Sequence, residues 1–271
     1  MRLNTIDLRL EHDVAVLTLQ PPDQRNPMTE QMSEEFPIAL RQAADVLHPA
    51  ALVITGAGDA FSAGGAYGLL EGNLTRGEEA CRALMLRYYQ HFLQIRDFSA
   101  PVVAAVNGAA VGAGAGLALA CDLRIAAQHA TFSFPFIKLG LSPGLGISYL
   151  LPRFTGLSVA SDLLLTGRKV GAEEALRLGL VNRLSTTGDL VSEAIALARS
   201  VTTGSPQALR DTRRLLGLTF SRELNEALEH EAACQARQFG GEDIREGLAA
   251  AREKRLPRFR AGGTANGGSG L

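Results

Sequence analysis

Cysteine is scarce in this chain: there are three in 271 residues, Cys81, Cys121 and Cys234. They lie far apart in apolar or helical stretches and form no CxxC pair, which excludes zinc and dithiol redox motifs and predicts reduced core thiols in a reducing compartment. An excess of either charge is also missing, because 27 basic residues face 28 acidic ones for a formal net charge of -1. A nucleic-acid binder driven by phosphate neutralisation needs a basic surplus, so that class is excluded, although local basic residues could still meet a small anionic ligand. Long apolar runs are absent too. The most apolar stretch, residues 102–120, is interrupted by Asn107 and four glycines and falls short of the roughly 20 apolar residues of a membrane span. Residues 1–9 hold no apolar core of a secretion signal, so a cytoplasmic protein with no membrane partner is expected. Two catalytic signatures are lacking. There is no G-x-S-x-G nucleophile elbow, since Gly146-Ile-Ser148-Tyr-Leu150 has no second glycine. The run from Gly112 to Leu117 breaks the G-x-G-x-x-G dinucleotide spacing, and residues 132–136 offer no acidic group for a ribose.

What is present begins with apolar material: hydrophobic residues make up 46% of the chain, enough for one large domain or two small ones. Residues 3–10 and 14–19 read as a hairpin, and a helix follows from Thr29, its N-cap, with Met32, Phe36, Leu40 and Ala43 on one face. Pro37 is expected to bend or shorten that helix. Strands at 51–55, 102–106 and 123–127 alternate with helices at 78–96 and 112–121, which implies a largely parallel α/β core. After Phe132 the pattern turns to helices and loops, at 146–154, 158–165, 172–178, 190–201, 206–216, 221–239 and 242–254. No internal repeat is evident. Residues 261–271, rich in Gly, Ser, Thr and Asn, read as a disordered tail.

The chemistry-bearing features are two glycine-rich turns, each directly after a strand: residues 54–65, Ile-Thr-Gly-Ala-Gly-Asp-Ala-Phe-Ser-Ala-Gly-Gly, and residues 103–116, ending Val-Gly-Ala-Gly-Ala-Gly. Two such turns can aim two backbone N–H groups at one oxygen, the arrangement that stabilises an oxyanion or enolate. Without Cβ atoms, Gly64 and Gly65 let a ligand carbonyl approach, and Gly112 to Gly116 open a helix whose first N–H groups are free. Each turn alone also reads as ordinary architecture, a strand-to-helix loop or a helix packed tightly on a neighbour.

Taken together with further motifs, these residues resemble the crotonase, or enoyl-CoA hydratase/isomerase, family. The likeness runs through Arg25-Asn26, residues 54–65, Ala104-Ala-Val-Asn-Gly108, Ala120-Cys-Asp-Leu-Arg124, Leu139-Gly-Leu-Ser-Pro143, Leu151-Pro-Arg153 and residues 242–259, nearly the whole chain. The resemblance implies an α/β fold of repeated ββα units over residues 1–200, a helical region at 201–260 that makes a homo-trimer or a dimer of trimers, and acyl-CoA thioesters as ligands. Coenzyme A would enter as part of the substrate, with no separate cofactor and no metal. The two oxyanion donors map to the N–H groups of Gly65 and Ala113. Arg25 and the segment Ala63, Gly64, Ala66 and Tyr67 would line the CoA groove, Gly112, Phe136 and Gly144 the acyl end. Lys254, Arg255 and Arg258 would meet CoA phosphates or form a solvated helix end.

The departures from the family pattern bear on the reaction. The two glutamates with which hydratases activate water fall at Gly116 and Phe136, and the isomerase carboxylate falls at Gly144. General acid–base catalysis is worth roughly 10²–10⁴-fold, so hydration is disfavoured and enoyl-CoA double-bond isomerisation is expected, with hydration, decarboxylation or a catalytically degenerate acyl-CoA-binding protein as alternatives. Glu71 and His91 are the candidate proton carriers, with Tyr88 and Tyr89 beside His91; Tyr67 is a candidate hydrogen-bond donor to the acyl group or a packing residue. Asp122 is expected to close a helix end. Phe134 and Phe136 predict an apolar acyl end, because an uncompensated polar group there would cost a few kcal/mol.

Overall fold

The computed structural model describes residues 3–20, 25–203, 205–218 and 221–259. It opens on the hairpin β1 (Ile6–Glu11) and β2 (Val14–Leu19), registered Ile6 to Leu19 and Glu11 to Val14. The short strand β3 (Pro27–Met28) leads into helix α1 (Glu30–Gln42), where Thr29 accepts the Met32 N–H at 2.9 Å as N-cap. Met32, Phe36, Leu40 and Ala43 are buried as one face. Pro37 does not shorten this helix. It lies inside α1, and the chain first departs from α geometry at a π turn over Ala43–Leu47. A proline has no N–H for the carbonyl four residues back, here Ser33, so α1 runs on with that one helical bond missing.

Three successive units then build two sheets. Each places a first strand in a six-stranded sheet and a second in a four-stranded one: β4 (Ala51–Gly56) with β5 (Ala60–Ser62), β7 (Val102–Val106) with β8 (Ala109–Val111), and β9 (Leu123–Ala126) with β10 (Thr131–Ser133). Between the first two units come β6 (Gly64–Gly65), α2 (Tyr67–Gly72) and α3 (Glu78–Leu93). After β8 comes α4 (Ala113–Ala120). With β11 at Lys169–Gly171 and β12 at Arg183–Leu184, the large sheet runs β1-β2-β4-β7-β9-β12, parallel except for β1, and the small sheet runs β11-β10-β8-β5. Both faces of its inner strands are covered, so β4 and β7 are buried at every position, as continuous apolar runs in a parallel sheet should be. This is the expected ββα core. The repeat is one of backbone layout, carried by strands of three to six residues, too short to repeat as sequence.

The second half is not purely helical. Besides α5 (Ile147–Thr155), α6 (Leu157–Thr166), α7 (Ala172–Arg177) and α8 (Leu190–Val201) it holds β11 (Lys169–Gly171) and β12 (Arg183–Leu184), which the sequence pattern did not reveal because such short edge strands have no periodicity to read. Helices α9 (Pro206–Leu218), α10 (Ser221–Phe239) and α11 (Glu242–Arg252) follow. Helix α10 packs along α3, and α11 packs on a 3-10 turn at Pro135–Leu139. Cys81 and Cys121 are buried free thiols, and burial pushes Cys81 up to about 11. Among the described residues no helix is long and apolar enough to cross a membrane. The tail at 261–271 lies outside the described residues.

Candidate active site

The first turn is set by a latch. Arg25 and Asn26 take left-handed backbone angles, φ 60° and 54°, which Asn tolerates better than most residues. The buried Asn26 side-chain amide then donates to the Ala57 and Ala60 carbonyls, both at 2.8 Å, while the Asn26 backbone carbonyl accepts the Ser62 hydroxyl at 2.8 Å. Asn107 holds the other flank of the turn, donating to Gly56 O at 2.9 Å and Gly58 O at 3.0 Å. So anchored, β6 lies parallel to β3, and the Ala66 N–H reaches Met28 O at 3.1 Å. Successive N–H groups of an extended chain point to opposite sides, so the Gly65 N–H is aimed away from β3. Gly64, at φ 83°, must lack a Cβ, since one would lie 2.4 Å from the Val111 carbonyl oxygen and 3.4 Å from Ala113 N. That contact brings the two turns together.

The second turn ends at Gly112, φ 50°, whose N–H donates to Ser133 O at 2.9 Å. Helix α4 starts at Ala113 and its first helical bond is Gly116 N–H to Gly112 O at 3.0 Å. The N–H groups of the first helical turn therefore have no acceptor within the helix, and the macrodipole adds partial positive charge there. Gly114 faces the other way: a Cβ would meet Ser62 at 2.7 Å. The small residues thus serve both purposes left open by the sequence, tight packing at Gly114 and an unpaired donor at Ala113.

Gly65 and Ala113 line one cavity of about 360 Å³. Its walls are mostly apolar, with Leu69, Leu70, Met85, Leu139 and Leu141, and Ala250 and Ala251 of α11 complete it. A second groove of about 670 Å³ shares Ala63, Gly65, Tyr67 and Leu69 and runs on past Ala66 to Thr29, Gln31 and Arg76. Phe136 and Gly144 line the inner cavity, and the Phe136 ring sits 3.5 Å from where a Gly112 Cβ would be. Phe134 does not line it and belongs to the core. Arg25 is exposed and contributes its carbonyl, which accepts the Ala63 N–H at 2.8 Å; its side chain lines neither space. Arg255 reaches the cavity wall but is forked onto Glu246 and Glu253, each at 2.6 Å, whereas Lys254 and Arg258 are exposed and line neither space.

Neither candidate proton carrier is in the cavity. Glu71 is ion-paired with Arg252 of α11. His91 is half-buried and absent from the cavity lining, and burial lowers its pKa. Asp122 accepts the Val102 N–H at 2.7 Å and Arg213 Nε at 2.8 Å, a structural bridge. Tyr88 donates to Met28 O at 2.8 Å.

What sequence reasoning missed is the contribution of α10. Glu231, Gln235 and Gln238, spaced one turn apart on one helix face, hold the backbone of residues 142–148. Glu231 accepts Gly146 N–H at 2.6 Å, Ser148 N–H at 2.8 Å and the Ser148 hydroxyl at 2.5 Å. Gln238 accepts Ser142 N–H at 2.7 Å, and Gln235 donates to Ser142 O at 2.8 Å. Gln235 also accepts the Tyr89 hydroxyl at 2.5 Å, and both side chains line the cavity. Burial raises the Glu231 carboxyl against the pull of its three donors. Burial also lifts the Tyr89 phenol well above its ordinary value, and the nearby Glu231 charge adds to that.

This geometry agrees with comparisons to known proteins. The sequence profile of the enoyl-CoA hydratase/isomerase family matches residues 9–262. A Thermus thermophilus protein provisionally named enoyl-CoA hydratase is 41% identical over 252 residues, 91% of this chain and 97% of that protein. The short-chain-enoyl-CoA hydratase of Clostridium acetobutylicum is 31% identical over 94% of this chain and 97% of its own. The crystal structure of an enoyl-CoA hydratase/isomerase from Mycobacterium paratuberculosis superposes with a TM-score of 0.82 at 31% identity, covering 90% of this chain and 97% of that one. With both glycine turns on one cavity, the ββα layout and this whole-length similarity, the chain belongs to the enoyl-CoA hydratase/isomerase family.

Proposed function

We propose that this enzyme binds an acyl-CoA with its thioester oxygen between the N–H groups of Gly65 and Ala113 and stabilises the enolate formed there. The observation that supports the reading is that Gly65 and Ala113 both line one largely apolar cavity. Fixed donors aimed at developing charge need no reorganisation in the transition state and supply roughly 3 kcal/mol each. The adjoining groove past Tyr67 and Ala66 gives the CoA arm a path.

Double-bond isomerisation is favoured over hydration, because the positions of the hydratase glutamates are Gly116 and Phe136. Gly116 is fully buried, with Ile147 and Leu145 within about 3.1 Å of any Cβ placed there. A second reaction, decarboxylation, is favoured by a separate observation: among the described residues no carboxylate lines the cavity, and loss of carbon dioxide forms the enolate without removing an α-proton. Incubating the pure protein with crotonyl-CoA, a 3-enoyl-CoA and a malonyl-type CoA separates the readings. Rapid hydration of crotonyl-CoA refutes the ranking, and calorimetric binding without turnover of any of the three marks a degenerate acyl-CoA-binding protein. The exposed Leu157, Leu165, Leu215 and Leu216 support the expected homo-trimer or dimer of trimers.

A further inference from the structure

A separate cavity of about 710 Å³ shares no lining residue with the inner cavity or the groove beside it. It lies between the end of α3, the turn that follows, and helices α9 and α10. Its charge is one-sided: Arg96, Arg210, Arg213 and Arg214 line it against a single carboxylate, Asp97. The chain as a whole stands at -1, so this is a local concentration of positive charge and not an overall surplus. Arg210, Arg213 and Arg214 follow the i, i+3, i+4 spacing and share one face of α9. Arg96 comes from another wall, in the turn after α3.

Of these four, Arg213 is committed to the fold. Its Nε donates to Asp122 at 2.8 Å, another of its nitrogens donates to the Phe98 carbonyl, and only 13% of its side chain is exposed. Arg96 and Arg214 differ: among the described residues neither makes a hydrogen bond or an ion pair. Arg96 is half-buried. Burial pulls its guanidinium below the ordinary value, and the Arg213 charge adds to that pull while Asp122 and Asp97 oppose it from a distance. A half-buried cation without a bonded partner carries a desolvation cost that an incoming anion relieves.

We propose that this cavity is a binding site for a small molecule bearing two linked phosphoryl groups, held by Arg96 on one side and by Arg210 and Arg214 of α9 on the other. Guanidinium forks match the oxygens of phosphates and carboxylates in pairs. A carboxylate offers two oxygens in one plane and answers one fork. Each phosphoryl group offers three acceptor oxygens, so a linked pair supplies enough for forks that come from two walls. Leu93, Phe98, Leu224 and Leu228 give the rest of the ligand an apolar surface, and the volume lies within the range of small-molecule sites. The site also backs onto the segment that Glu231 holds: a Cβ at Gly146 would lie 2.8 Å from Leu224 and 3.5 Å from Leu228.

The test is calorimetry of the full chain with ADP, inorganic pyrophosphate and citrate, on the native protein, Arg96→Gln, Arg214→Gln and the double variant. Native protein is expected to bind both phosphate probes and to bind citrate at least tenfold more weakly. Each single variant is expected to weaken the phosphate probes by about tenfold to a hundredfold, the loss of one charge-assisted hydrogen-bonding partner. Circular dichroism checks that each variant is folded, and the exposed Arg214 keeps the test open if Arg96→Gln does not fold. Tighter binding of ADP than of pyrophosphate shows the apolar wall holding the attached group, and equal binding shows the phosphoryl pair alone being read; both support the site. No binding of either phosphate probe at about 1 mM overturns it, as it would if a second copy of the chain fills the cavity. Unchanged ADP affinity in the folded double variant, or citrate binding as tightly as pyrophosphate, also overturns it.

Discussion

Replacing Ala113 by proline deletes one candidate donor and little else. Ala113 is the first residue of α4, preceded by Gly112 at φ 50°, and its N–H has no acceptor inside the helix. Proline is favoured at that first position because its fixed φ suits the helix start and the missing N–H bonds nothing there. The expected change in folding stability is therefore within about 1 kcal/mol, read from urea or thermal unfolding. The functional loss is expected to be much larger. Removing one oxyanion donor costs about 10²–10³ in kcat, roughly 3–4 kcal/mol. The assay is steady-state turnover of the thioester that the native enzyme consumes fastest, with calorimetry of a non-reactive acyl-CoA to separate binding from chemistry. A folded Ala113→Pro variant retaining kcat within threefold of native would refute the assignment of this amide.

Three more outcomes follow from the contacts described. Asn26→Ala should destabilise the fold by about 3 kcal/mol in urea melts, because it strands the Ala57 and Ala60 carbonyls and leaves alanine in a left-handed backbone; a loss under 1 kcal/mol would show that the latch is dispensable. Gly116→Glu should not create a hydratase, since its Cβ would sit 3.0 Å from Ile147 and 3.1 Å from Leu145; crotonyl-CoA hydration by this single variant would contradict that. Glu193 is held down to about 2 by the Ser185 hydroxyl and by the amide and hydroxyl of Thr187. A depressed carboxylate stabilises above its ordinary value near 4.5 and loses that contribution as pH falls through about 2. The Thr186 and Thr187 amides should therefore keep their NMR shifts and slow exchange at pH 4 and lose both near pH 2.

The α/β class, the hairpin, Thr29 as cap and the bounds of most helices were legible because apolar periodicity and capping chemistry are local signals, whereas the six-residue α2 is too short to show a period. The glycine turns were legible too, but only as possibilities, because Gly114 packing on Ser62 and Ala113 facing a cavity look alike in a string of small residues. Pro37 misled the reading of α1, because one lost helical bond does not end a helix whose apolar face is buried along its length. His91 and Glu71 both fall outside the cavity, Glu71 on Arg252, a matter of tertiary placement that spacing does not report. Tyr89 was visible as a helical aromatic, yet its partner Gln235 lies 146 residues downstream, beyond the reach of any spacing argument.

The three-point clasp of Glu231, Gln235 and Gln238 on residues 142–148 makes the cavity floor a property of a distant part of the chain. Substitutions confined to α10 can reshape the cavity lining at Gly144 while both glycine turns stay untouched, so enzymes built on this scaffold can diverge in reaction without disturbing the proposed two-amide site. Any ligand or neighbouring molecule that shifts α10 along its axis would pull on that floor directly.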